Sequence, residues 1–238
     1  MRTVLAIYRR ELASYFNSAL ASVVLPIFLL LVGVFSLYFS DFLSSGVASM
    51  RTVFFWSAMF LALLIPALTM RLFAEEERTG SLELLLTLPV SDYQPVLGKF
   101  LAALTLVWIA LALTFCYPLT LAFYADLDWG PIIGGYVGLA LMGAAYCAIG
   151  VATSSFTQNQ VLAFLSAMVI CLVPYALGFF LPSLPAAWVP LMQHISFETH
   201  FNSLARGVID SRDLVFYASV ILLALHAAAF SLEQRRLS

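Results

Sequence analysis

Six apolar runs, each free of Asp, Glu, Lys and Arg, divide the chain: Ala19–Phe39, Val53–Met70, Leu101–Tyr124, Ile132–Thr153, Val161–Leu181 and Leu214–Leu232. A helix needs about 20 mostly apolar residues to cross the hydrocarbon core, so each run predicts a membrane-spanning helix. The second is short, opens on Phe54, Phe55 and Trp56, and can be extended by Arg51 and Thr52. The first follows Arg9 and Arg10 as a signal peptide's apolar stretch would. It is too long for that role and lacks a convincing cleavage site before the next run, so it reads as a span.

The polar segments carry their own patterns. Before the first span, Val4, Tyr8, Leu12 and Tyr15 recur at helical spacing, with Arg9 and Arg10 off that stripe. This predicts an amphipathic helix over 1–17 lying along the inner leaflet, its arginines near anionic lipid. The alternative is a simple extension of the first span into water. The segment 182–213 holds Trp188, Leu191, Met192, Ile195, Phe197, Phe201, Leu204 and Val208, interrupted by His194, Glu198, His200 and Arg206. It is too apolar for a solvated loop and too broken for a span. Two short re-entrant or interfacial helices that close the outer end are predicted.

The densest charge lies over 71–100, which holds Arg71, Glu75, Glu76, Glu77, Arg78, Glu83, Asp92 and Lys99. Such a cluster must face water. Arg71–Thr79 is expected to continue the second span beyond the membrane, and Gly80 to stop that helix. Ser81 then caps a short leucine-faced helix, Leu82–Leu88, which Pro89 ends. Ser91 and Gln94 form a capping-box pattern for the helix entering the third span. Three glutamates alone would read as a solvated face. With Leu82, Leu84, Leu85 and Leu88 beside them, they predict a docking surface for another protein.

Composition agrees with a polytopic membrane protein: 63% hydrophobic and 10% charged, against about 25% charged in soluble domains. A net charge of −2 leaves no nucleic-acid footprint. Six spans place both termini on one side. Eight of the basic residues fall on that side and three, Arg51, Arg206 and Arg212, on the other. Both termini and the 71–100 block are therefore expected in the cytoplasm.

Chemistry-bearing motifs are few. Gly98-Lys99 is followed by Phe100 and lacks the upstream glycine of a nucleotide-binding loop. No nucleophile or carboxylate pair suggests an enzyme, and no mid-membrane carboxylate suggests proton or sodium coupling. His194, Glu198 and His200 have no standard zinc spacing and read as wet interfacial residues. Cys116, Cys147 and Cys171 lie in apolar runs and read as packing residues. His226, inside the last span, is expected to bond a neighbouring helix. Gly134 and Gly138 let another helix approach, within the subunit rather than across a dimer seam. Pro26, Pro66, Pro118 and Pro174 are candidate kinks.

The string FAEEERTGSLELLLTLPVS, followed by VLGKFLA, resembles the cytoplasmic coupling region of permeases of the ABC-2 class of ABC transporters. SSFTQNQVLAFL and FETHFNSLARGVIDSRDLVFY extend the resemblance over essentially the whole chain, which is most similar to the gliding-motility permeases; copper-enzyme-maturation permeases share the general pattern. The resemblance implies an all-α, ABC-2 (type V exporter-like) fold over 1–238, an N-terminal interfacial helix followed by six transmembrane helices. It implies a multi-pass protein of the bacterial inner membrane, paired with a second permease as homo- or heterodimer. It also implies a cytosolic ABC ATPase that binds ATP and magnesium, a periplasmic accessory subunit, and surrounding lipid. The chain itself would hold no cofactor and be no enzyme. ATPase coupling would fall on Glu75, Glu76, Glu77, Arg78, Gly80, Ser81, Leu82, Glu83, Leu84, Leu85 and Leu88. The function implied is export of a substrate left unidentified; the alternative is a membrane anchor or mechanotransmission subunit driving a periplasmic process.

Overall fold

Backbone groups in hydrocarbon must bond to one another, and a helix does this within one segment. The structure, a computed structural model, describes residues 2–39, 50–82, 91–124, 127–183, 185–208 and 210–237, and contains no strand among them. Its helices are α1 (Arg2–Asn17), α2 (Ala19–Phe39), α3 (Arg51–Thr69), α4 (Arg71–Arg78), α5 (Tyr93–Thr114), α6 (Cys116–Ala122), α7 (Trp129–Ser155), α8 (Gln160–Phe180), α9 (Val189–Ile195), α10 (Phe197–Ala205) and α11 (Ser211–Leu237). Six candidate spans result: Leu20–Phe39, Arg51–Arg78, Tyr93–Ala122, Trp129–Ser155, Gln160–Ser183 and Ser211–Arg236. The protein is an all-α polytopic membrane protein, with a span for each apolar run.

Two spans are broken near prolines. Pro66 removes a backbone donor one turn before α3 gives way to α4 at Met70. Pro118 lies in the first turn of α6, just after the third span breaks at Phe115. Pro26 and Pro174 stay inside continuous helices. The capping box at Ser91 and Gln94 does not form. Helix α5 starts at Tyr93 without a side-chain cap, and the Ser91 carbonyl accepts from the Gln94 N–H at 2.9 Å. Pro95 at the third helical position has no N–H, so one of the orphan donors a cap would serve is missing.

Helix α7 is the hub, packing on α3, α4, α5, α8, α10 and α11. Its small residues make this possible. A Cβ on Gly134 would collide with the Leu204 carbonyl of α10, and one on Gly150 with Thr69 of α3; Gly138 faces Phe201. The Gly134/Gly138 pair therefore serves packing within the subunit. Spans α2, α8 and α11 are the least enclosed.

Helix α1 lies against protein along one face. Ile7 seats on Gly98 of α5, the Tyr8 and Thr105 hydroxyls are 3.2 Å apart, and the Tyr15 hydroxyl donates to the Leu68 carbonyl at 3.1 Å. Leu5 and Phe16 remain about half exposed. At the opposite end of the bundle, the segment after α8 does form two short helices. Pro190 stands in the first turn of α9, where it starts a helix rather than breaking one. Protein covers the inner face of α10, whose Phe197, Phe201 and Leu204 are buried; α9 buries no residue and leaves Leu191 and Ile195 exposed.

Candidate functional site

The charged 71–100 block begins where α3 breaks at Met70. That break leaves backbone groups without helical partners, and Ser154 of α7 serves them. Its Oγ accepts from the N–H groups of Phe73 (3.0 Å) and Ala74 (3.1 Å) and donates to the Met70 carbonyl (3.0 Å). Leu72, Phe73 and Ala74 are buried, so the first half of α4 belongs to the core.

The second half of α4 carries charge into a cluster around Lys99 of α5, which is 1% exposed. An isolated ammonium at such a site would be prohibitively costly. Lys99 Nζ lies 2.9 Å from Glu76 Oε1 and 3.2 Å from Glu11 Oε1 of α1, donates to the Leu72 carbonyl at 2.6 Å, and sits 5.0 Å from the Phe73 ring centre. Arg10 closes the cluster with 2.7 Å contacts to Glu11 and Glu76. Burial pushes the Glu11 carboxyl up, but Lys99 and Arg10 outweigh it and hold the group below its ordinary value. Arg71 reaches Ser18 at 3.3 Å and lies over the Tyr15 ring. Helix α11 joins through Arg235 to Glu77 and Arg236 to Asp92, and through His226, 2.6 Å from the Tyr93 hydroxyl. The block is thus tied to α1, α5, α7 and α11.

At the opposite end, a cavity of about 520 Å³ opens between the N-termini of α3 and α7 and one face of α10. Phe54, Ile132, Tyr175 and Phe201, all nearly buried, form its wall. Glu198 projects into it beside Gly178 of α8, bonded to Asn202. Burial raises the Glu198 carboxyl, with the Asn202 bond and Arg206 offsetting part of the effect. His194 and His200 line a different cavity, where His200 Nδ1 meets Asp213 at 2.7 Å. Glu198 therefore diverges from the two histidines, and among the described residues no three of His, Cys, Asp and Glu could share a metal ion.

The family model described as ABC-2 family transporter protein matches residues 56–219, from inside α3 to the first turns of α11. The chain belongs to the ABC-2 transporter family. It is a membrane-spanning permease component of an ABC transporter, and the family implies partnership with an ABC ATPase component. Such membrane components are typically non-enzymatic. No curated protein matches the chain.

The residues expected to contact the ATPase fall into four groups in this ABC-2 permease. Glu76 and Glu77 are turned into intramolecular ion pairs. Glu75, Arg78, Gly80 and Ser81 are exposed, whereas Leu82 is 3% exposed. Gly80 has φ +73°, the left-handed stop expected of it, and the Ser81 hydroxyl donates to the Glu76 carbonyl at 3.2 Å. Glu83, Leu84, Leu85 and Leu88, and with them most of the expected leucine-faced helix, lie outside the described residues. Sequence reasoning missed Glu11, Arg10, Ser154 and Arg235 as partners of the block. The available signal was Lys99, a lone cation between Val96 and Leu97 on one side and Phe100 and Leu101 on the other. A charge in such a run requires a counter-charge from another element.

Proposed function

We propose that the chain is an exporter permease whose 71–100 block receives a separate cytosolic ATPase and passes the motion of ATP hydrolysis into the bundle. The observation that carries this reading is the charge cluster at Lys99, which binds α4 to both the interfacial helix and α5. A force applied to the exposed face of α4, around Glu75 and Arg78, reaches α1, α5, α7 and α11 without a flexible intermediary. ATP and magnesium are held by the partner, since the chain has no nucleotide-binding motif. The basic-residue asymmetry supports cytoplasmic termini in a bacterial inner membrane. The least enclosed faces, on α2, α8 and α11, suit a second permease subunit. The likeness of 71–102 to the gliding-motility permeases supports that branch of the family.

Mechanotransmission, with the ATPase driving a periplasmic process, is the second reading. It is favoured by the absence of Asp, Glu, Lys and Arg from the apolar runs of those three spans, which offers no ionic path along a seam they would form. Proteoliposomes holding the permease and its ATPase separate the two. Export predicts ATP hydrolysis stimulated by a translocated lipid, glycan or metal ion. Transmission predicts hydrolysis indifferent to all of these and responsive to a periplasmic partner.

A further inference from the structure

The cavity at the end opposite the cytoplasmic block has a lining the coupling function does not use. It is about 520 Å³, within the range of small-ligand sites. Two of the three basic residues assigned to the outer side, Arg51 and Arg206, line it, together with the carboxylates Asp128 and Glu198. Charges of both signs thus face one apolar hollow. Glu198 reaches its position because Gly178 has no side chain; a Cβ there would collide with the carboxylate. Its neighbour Asn202 donates to one carboxylate oxygen, which fixes the group without neutralising it. Phe55 continues the aromatic wall to Phe179, at 5.5 Å between ring centres, and Phe179 is 45% exposed on α8. The cavity therefore combines an acidic group, a basic rim and an apolar edge at Phe55 that continues to Phe179.

We propose that this cavity binds an amphipathic zwitterion, a primary ammonium joined to a phosphate, with its apolar part along Phe55 and Phe179. The ammonium pairs with Glu198, where three donor hydrogens reach the carboxylate and the Asn202 amide oxygen. The phosphate meets Arg206 at the rim. This chemistry occurs in an ethanolamine-type lipid headgroup and in the free headgroup. Neither source requires an ATPase to be docked, so the proposal stands apart from the coupling reading.

The test is binding to the purified full-length permease in detergent, by calorimetry and by thermal shift. The probes are short-chain phosphatidylethanolamine, short-chain phosphatidylcholine, O-phosphoethanolamine, ethanolamine and inorganic phosphate. Phosphatidylethanolamine should bind saturably, and phosphatidylcholine, which lacks ammonium donors, at least roughly tenfold more weakly, the scale of one charge-assisted contact. Glu198→Gln and Arg206→Gln should each weaken binding by a similar factor without lowering the melting temperature of the ligand-free protein. Ala205→Trp fills the hollow with every charge kept and should also reduce binding. O-phosphoethanolamine equal to the lipid identifies a soluble ligand; binding of the lipid alone identifies a headgroup. Ethanolamine or phosphate binding as tightly as the zwitterion, no saturable binding of any probe, or affinity unchanged in all three variants would overturn the proposal.

Discussion

Lys99 shows how a single residue joins separate parts of the chain. Its ammonium has four partners, from α1, from two positions of α4 and from the Phe73 ring, and almost no water. Removing one partner of a buried ion pair strands the other charge, at a cost of about 3–5 kcal/mol. Glu11 and Glu76 keep some solvent, with side chains 13% and 20% exposed, so the lower end applies. Lys99→Met should thus destabilise the permease by about 3 kcal/mol. Lys99→Met with Glu76→Gln should recover part of that loss, as thermal melts in detergent would register. A second prediction concerns acid. Because Glu11 is held below its ordinary value of 4.5, its contribution is complete above that value and is lost as pH falls through the lowered one. A spin label at Ser14 on the exposed side of α1 should gain mobility through that acidic step, and Glu11→Gln should abolish the step. Lys99 is also where sequence reading fell short. Composition identifies the charge, but its partners come from positions 11 and 76, whose proximity only the tertiary fold creates.

At the scale of elements, the length of the uncharged apolar runs located every span, because membrane crossing imposes a length and an apolar composition on any sequence. Pro26, Pro66, Pro118 and Pro174 were equal candidates for kinks, and only Pro66 and Pro118 lie beside breaks, since neighbouring side chains such as Ser154 decide where freed backbone groups find partners. The helix start at Tyr93 was misread because a capping pattern is only an option when Pro95 has already removed one donor. Glycines give a sharper test of element packing. Gly134→Val drives a side chain into the Leu204 backbone and should cost about 1–3 kcal/mol across the bundle. Gly80→Ala meets no atom within 4 Å but holds φ at +73°, so it should cost about 1–2 kcal/mol locally. Melting temperature should fall clearly for the first, and limited proteolysis near 79–81 should rise for the second.

For the whole molecule, the two ends of the bundle have opposite designs. One end is a charge-locked block on α4; the other carries the short helices α9 and α10, with α10 lining a mixed polar and apolar cavity. The sequence exposed the first through its charge density and the second through apolar residues too interrupted for a span. It did not show that α10 is covered by α7 rather than lipid, because that contact depends on Gly134 and Gly138 meeting Leu204 and Phe201. The basic-residue asymmetry carries the expectation that the charge-locked end faces the cytoplasm. In a Cys116→Ser background, cysteines placed at positions 2 and 237 should resist an impermeant reagent in intact cells, and one at position 45 should react. The reverse pattern would invert the topology.

Docking of the ATPase on the 71–100 block, as proposed, is tested by recovery of the cognate ABC ATPase with affinity-purified permease carrying Leu84→Asp and Leu85→Asp. The ATPase should be lost while membrane insertion and the melting temperature of the permease are unchanged. ATPase recovered in the wild-type ratio would contradict the proposed docking.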